Sequence, residues 1–330
     1  MVKQRVLLLG ATGATGRSIL NALLADSQHF TVSILVRPSS IDKPDVQALR
    51  QRDIPIRVAA IEETTDGAPD ATLVEALKDI DVLISTIAAL HVKSQVPLAR
   101  AAKAAGVRRF VPSAFASVYP GGAGLMTLGD EKEAVYAQIR ALRLPYTLID
   151  VGFWYQVSTP PVPSGRTDYA SVVRPNEIHA GGDQSLILID LRDVGRFVAR
   201  IIPDERTLNR SVVAYGEVLS EHEIFAIVEE IAEEKVERKQ VSAADIAASL
   251  IEHKAAYVAD PTNIMARYAL FIDQYSHSKY VRGDNTPENA KYLGFLNARE
   301  LYPDVKPIQF REFVQDLLDG KIERPYDWSM

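Results

Sequence analysis

The sequence contains no cysteine. That excludes a disulfide scaffold, thiolate metal sites, iron–sulfur ligation and a cysteine nucleophile. No apolar run approaches the roughly 18–20 residues of a membrane-spanning helix, so no membrane partner is expected. There is no run of like charge either. The 37 Lys and Arg against 43 Asp and Glu leave a net charge of −6, which argues against a nucleic-acid-coating surface. The six histidines are scattered, with no His-x-x-x-His or carboxylate-flanked pattern, so no metal is expected. No Gly-x-Ser-x-Gly elbow appears, which disfavours acyl hydrolysis. Internal repeats and low-complexity tracts are absent too.

What remains is ordinary globular composition. With 330 residues, 47% apolar and 24% charged, the chain suffices for a large core and, at roughly 150 residues each, about two units. The segment Val2–Leu9 has an apolar core but no small-residue cleavage site. It reads as a buried strand rather than a signal peptide.

Along the chain, Val6–Leu9 is a short continuous apolar run, as a strand covered on both faces requires. A glycine turn, Gly10 to Gly16, follows it. Ile19, Leu20, Leu23 and Leu24 then recur at helical spacing. Further strands are expected at Thr31–Val36, Ile56–Ala59, Asp81–Ser85, Arg109–Ser113 and Tyr146–Val151. Helices are expected at Gln95–Ala105, stopped by Gly106, and at Lys132–Leu142. This alternation predicts an α/β fold, a Rossmann-type parallel sheet flanked by helices with right-handed crossovers.

Past residue 152 the grammar changes. Thr159–Gly165 is rich in turn residues. Ser185–Ile189 and Ser211–Ala214 read as strands around a helix at Leu191–Ile202. Ser220 and Glu223 have capping-box spacing ahead of Ile224–Ala232, and Ser242 starts another helix. Helical stretches follow at Ile264–Tyr275 and Phe310–Leu318. The division expected is a cofactor domain, 1–152, and a smaller α-rich substrate lobe, 153–330, interleaved with the sheet domain.

Gly10, Gly13 and Gly16 each have a physical task at a dinucleotide site: a tight turn, close approach of backbone to pyrophosphate, and close helix–strand contact. Thr12, Ala14 and Thr15 complete that turn. The following helix offers unpaired N–H groups and a positive dipole end to phosphate. Arg37 ends the second strand, where a cofactor with a free ribose 2′-hydroxyl usually meets a carboxylate. A guanidinium there pairs with a 2′-phosphate instead, which favours NADP(H) over NAD. Ser85, Thr86 and Ile87 follow the fourth strand, where backbone passes the nicotinamide ribose. Ser113 and Phe115 end the fifth; Phe115 packs either on the cofactor ring or in the core.

These residues carry a family resemblance. Gly10–Gly16 followed by Val36-Arg37-Pro38 is similar to the isoflavone reductase-like and NmrA-like group of atypical short-chain dehydrogenases. Gly106–Phe115 resembles that family's G-V-K-R-F-x-P-S-E-F-G motif. Asp130-Glu131-Lys132 resembles its D-x-K element. Asp190–Phe197, Asp204–Asn209 and Glu300–Val305 extend the likeness to nearly the full chain. The resemblance implies an NADPH-dependent reductase of aromatic metabolites, with Lys132 as the catalytic lysine, or a dinucleotide-binding regulator. Two departures lie beside the expected active site. Ala114 and Ala116 stand where the family has Glu and Gly, and the loop Val118–Leu128 differs.

For catalysis, Lys132 is expected at the start of the helix after the fifth strand, at the carboxyl end of the sheet where ligands bind in open α/β folds. Partly desolvated there, a lysine shuttles a proton near working pH. The competing reading is a surface lysine pairing with Glu131 or Glu133. Tyr119 and Tyr155 are candidate hydroxyl donors. Phe153, Trp154 and Tyr169 are candidates for an aromatic-accepting pocket, with His277 as a possible second acid. The Tyr-x-x-x-Lys spacing of ordinary short-chain dehydrogenases occurs at Tyr275 and Lys279, far beyond the cofactor segment, and is not expected to be catalytic.

The leading expectation is a cytoplasmic, monomeric or homodimeric NADPH-dependent oxidoreductase of an aromatic or heterocyclic secondary metabolite, using Lys132 as general acid/base. A redox-neutral isomerase using the same cofactor, and an NADP(H)-sensing regulator, are the alternatives.

Overall fold

The structure, a computed structural model, describes residues 3–64, 67–170 and 176–326; Val2, at the start of the first apolar segment, lies outside them. The first half alternates as its sequence predicts. β1 (Gln4–Leu9), α1 (Ala14–Ala25), β2 (Phe30–Val36), α2 (Pro44–Gln51), β3 (Ile56–Val58), α3 (Ala71–Ala76), β4 (Val82–Ser85), α4 (Gln95–Ala104) and β5 (Arg109–Val111) follow one another. The strands form one parallel sheet in the order β3-β2-β1-β4-β5. Its order reverses direction between β1 and β4, which opens a crevice at the carboxyl ends of those strands.

Period-two alternation explains both layers. Val6 and Leu8, Ile34 and Val36, Val82 and Ile84 pack on one side with α1 and α2. Leu7, Leu9, Leu35 and Leu83 face the other side, among Leu73, Leu98 and Ala102 of α3 and α4. Both faces are covered, so the strands read as unbroken apolar runs.

α5 (Thr127–Ala141) and β6 (Thr147–Asp150) come next. The sequence predicts β6 as a sixth strand of the same ladder. On its far edge it pairs with β10 (Arg210–Val213), which in turn pairs with β13 (Leu296–Asn297). A single bridge, Phe110 to Tyr146, joins it to β5. Pro112 is the reason, since it ends β5 early by having no N–H to give the ladder. Contact resumes past it, where Phe115 N–H donates to the Ile149 carbonyl at 2.8 Å.

The second half contains β7 (Phe153–Trp154), α6 (Tyr155–Ser158), β8 (Glu177–His179), β9 (Leu186–Ile189), α7 (Leu191–Ile201), β11 (Glu217–Leu219), α8 (Glu221–Ala232), β12 (Lys239–Val241), α9 (Ala243–Ala259), α10 (Ile264–Ser276), α11 (Pro287–Tyr292), α12 (Ala298–Leu301) and α13 (Phe310–Leu318). The capping boxes at Ser220/Glu223 and Ser242/Asp245 both form. β9 pairs antiparallel with β11 and parallel with β7, and β8 pairs with β12. The half therefore holds more strand than its helical periodicities suggest.

Elements from before and after residue 152 pack on one another. α7 lies on α1, with Ser18 Oγ donating to the Leu191 carbonyl at 2.6 Å and accepting from Gly195 N–H at 2.9 Å. A separate core, built on Tyr155, Phe225, Phe310 and Phe313, holds the lobe. Among the described residues no helix is long and apolar enough to cross a membrane, and no cluster of three or more His, Asp or Glu could hold a metal ion.

Candidate active site

A cleft of about 840 Å³ runs along the carboxyl ends of the strands. One end is built from the glycine turn. Gly10 has a left-handed φ of +84°, and a Cβ there would meet Thr86 Oγ1 at 2.6 Å. Only glycine suits both constraints. A Cβ on Gly16 would run into the Gly10 carbonyl, so Gly16 lets α1 close on the turn and does not itself line the cleft. Thr86 locks the two strands together, donating Oγ1 to the carbonyls of Leu9 (2.9 Å) and Gly10 (3.1 Å).

The α1 N-terminus has no side-chain cap and no acidic residue in its first turn. Its orphan N–H groups face the cleft alongside Thr12, Gly13, Ala14 and Thr15. Arg37, Ser40 and Lys43 line the cleft on the side of this turn. Arg37 is exposed and pairs with no carboxylate among the described residues. An uncapped helix end and a guanidinium with no carboxylate partner among the described residues, both lining the cleft with the glycine turn, fit a dinucleotide with an additional phosphate.

The middle and far wall carry the chemistry. Thr86, Ile87, Ser113 and Phe115 line the cleft beside Lys132. Ser113 is tied down at both ends, Oγ donating to the Ile87 carbonyl (2.9 Å) and N–H to Gln95 Oε1 (2.6 Å). Phe115 adopts a positive φ of +28°, a strained conformation for an aromatic residue. Lys132 lies in the second turn of α5, not at its start, because the helix begins at Thr127. It is only 6% exposed, so the surface-lysine reading fails. Its Nζ donates to the Ala114 carbonyl. Burial lowers its pKa to about 8, against an opposing pull from Asp150.

Asp150 itself was not singled out from sequence. It ends β6 at the carboxyl edge of the sheet, and that position is the signal that marks it. Burial raises its carboxyl to about 7, partly offset by Lys132 and by the Ala116 N–H. Phe153, Trp154 and Leu128 continue the cleft, joined by Tyr275 and Tyr326. Tyr326 stacks on Trp154 at 5.8 Å, and Tyr275 meets Phe153 edge-on at 5.9 Å. Ser117 also lines the wall, and its buried Oγ has no hydrogen-bond partner among the described residues.

Several expected residues do not line the cleft. Tyr155 is fully buried in the lobe core against Phe310 and Phe313, with its hydroxyl at the Ile308 carbonyl (3.2 Å) and Glu217 (3.4 Å). The helical turn of α6 aims it away from Trp154, its neighbour. Tyr169 donates to the Leu317 carbonyl at 2.9 Å, bracing α13. His277 opens a π-helical turn, His277–Arg282, outside the cleft. Tyr119 packs on Gly129 of α5, and burial pushes its hydroxyl well above the usual range. Ser85 is buried behind the turn.

Comparison with known proteins adds to this geometry. The model of the NmrA-like family matches residues 2–314. The chain is 37% identical over 318 residues to the asnovolin J 5′,6′-dehydrogenase of Aspergillus novofumigatus, covering 96% of this chain and 95% of that protein. It is 29% identical over 333 residues to a phenylcoumaran benzylic ether reductase of Pinus taeda, covering 96% and 99%. Among solved structures, the leucoanthocyanidin reductase–NADPH complex of Vitis vinifera superposes with a TM-score of 0.76 at 24% identity, covering 96% and 99%. That likeness shows the shared Rossmann-like fold.

Proposed function

Because this chain belongs to the NmrA-like family, we propose that its cleft binds NADP(H) and performs hydride transfer on an aromatic or heterocyclic secondary metabolite, with Lys132 as general acid/base. The relatives support the reaction class, being a dehydrogenase and a benzylic ether reductase by name. The observation that carries the reading is the position of Lys132. A buried amine stands between a phosphate-binding cradle and a wall of aromatic rings, in one continuous cleft.

The first turn of α1 binds pyrophosphate through its backbone N–H groups, and Arg37 with Lys43 receives the 2′-phosphate. When bound, the cofactor supplies or accepts a hydride at its nicotinamide ring. Phe153, Trp154, Tyr275 and Tyr326 stack on and enclose the substrate, excluding water. Lys132, held by the Ala114 carbonyl, gives a proton to the substrate atom that gains negative charge during reduction, or removes one in the reverse direction. Asp150 holds the replacement proton on Lys132 by its charge.

A panel of aromatic and heterocyclic metabolites tests this by NADPH oxidation. Turnover with at least one member, lost in Lys132→Met while NADPH binding persists, is the expected result. Tight NADPH binding with no oxidation across the panel would count against it.

A further inference from the structure

Phe153 separates two cavities. It lines the main cleft and, with Val157, a second cavity of about 30 Å³. Lys279 lines the second one and is only 6% exposed. Its Nζ stands 3.6 Å from the centroid of the Phe153 ring and 4.5 Å from that of Tyr280. Its hydrogen bond is to the Tyr280 hydroxyl at 3.2 Å, and among the described residues no carboxylate comes within ion-pair distance.

The neighbouring carboxylates bond other groups, Glu221 taking the Tyr280 hydroxyl as well as His179. Glu221, at the start of α8, takes the His179 N–H at 2.7 Å and meets its Nδ1 at 2.8 Å. Glu177, on β8, pairs with Lys239 at 2.9 Å. The Tyr280 ring stacks flat on His179 at 4.4 Å, which fixes the floor beneath the ammonium.

A buried ammonium with one hydrogen bond is a poor choice for stability, and an apolar side chain of similar length serves a core better. What the charge supplies is a cation–π grip, strongest where water is excluded. Tyr275 touches the edge of the same ring. The Tyr-x-x-x-Lys spacing thus places two side chains about one turn apart on Phe153, with a π-helical turn at His277–Arg282 carrying the lysine. The motif grips a wall residue and is not a proton-transfer dyad.

We infer that Lys279 is a positioning residue for substrate, its ammonium fixing the Phe153 ring as the aromatic wall of the cleft while Tyr275 braces the edge. This rests on the reading of the aromatic half as the substrate side. The titratable groups facing Lys279 are Glu221 from α8, Glu177 and His179 from β8, and Tyr280 on its own turn. Burial outweighs the pull of Glu221 and lowers the lysine to about 7. The grip is therefore present below neutrality and lost as pH rises through about 7.

The test uses the full chain loaded with NADP⁺ and carrying 4-fluorophenylalanine at position 153. The fluorine resonance should titrate with a midpoint near 7 in the otherwise unaltered protein, and Lys279→Met should remove most of that step, leaving only the smaller shift transmitted from Asp150 and Lys132; a step of unchanged size in Lys279→Met would overturn the grip. Neutral 2-naphthol, followed by fluorescence, should bind about fivefold or more weakly to Lys279→Met, with Lys279→Arg restoring affinity. Lys279→Met should fold at least as stably, so thermal melting separates positioning from collapse. A pH-independent resonance in the unaltered lysine protein, or equal 2-naphthol affinity in Lys279→Met, would overturn the inference. Failure of 2-naphthol to bind any form while NADP⁺ binds would instead overturn the substrate-side reading, leaving the fluorine titration to decide the grip.

Discussion

A buried amine serves proton transfer only if its charge changes near working pH, and Lys132 meets that condition. Its pKa of about 8 lies below the ordinary lysine range because burial disfavours the ammonium. Reduction uses the protonated form, so reductive turnover should fall as pH rises through about 8, and oxidation should rise over the same range. Asp150→Asn removes the charge that raises the lysine's proton affinity, so the alkaline limb of a pH–rate profile should move to lower pH. At the other end of the cleft, Arg37→Glu replaces an unpaired guanidinium with a carboxylate. NADPH affinity should fall by about 10- to 100-fold while NADH affinity holds or improves, read by fluorescence titration. The Gly10–Gly16 turn, Arg37 and Lys132 were legible in sequence because each sits at a fixed offset from a strand or in a family motif. Asp150, Ser117 and Tyr326 were not, because only folding brings β6, the loop after β5 and the chain's last residues to one place. Tyr155 misled for a related reason. Adjacency to Phe153 and Trp154 says nothing of direction once α6 begins.

Among the elements, α1 on α7 joins the two halves, as the pairing of β6 with β10 does. Gly195 permits the helix contact, since any Cβ there would run into the Ser18 carbonyl and the Ala22 methyl. Gly195→Ala should force the helices apart and cost about 1–3 kcal/mol, measured as a lower urea midpoint with an unchanged slope. Because the α1 N-terminus also lines the proposed cofactor site, NADPH affinity should drop with it. The strands of the first half were readable as apolar runs covered on both faces. β7, β8, β12 and β13 were not, being two or three residues long and defined by partners distant in sequence. The early end of β5 was foreshadowed by Pro112; the pairing of β6 with β10 on its other edge was not, because β10 lies some sixty residues further along the chain.

At the scale of the whole molecule, the cleft is closed by residues from both ends of the chain. Arg17 of α1 donates to the Pro325 carbonyl at 3.3 Å, and Tyr326 stacks on Trp154 over the aromatic half. Tyr326→Ala should raise KM for the aromatic substrate severalfold, consistent with an aromatic pair worth about 0.5–1.5 kcal/mol, and leave NADPH affinity nearly unchanged. The net charge of −6 conceals this division of labour, because the cations at Arg37 and Lys43 gather at one end of a cleft whose other end is aromatic. Isotope transfer reads hydride transfer and proton delivery by Lys132 in one experiment. With NADPH deuterated at the nicotinamide C4, single-turnover mass spectrometry should find the label in the reduced metabolite, and Lys132→Met should slow its appearance by at least about a hundredfold with NADPH still bound. Label that never enters any metabolite, or that enters equally fast without the lysine, would rule out hydride transfer with Lys132 as the proton donor.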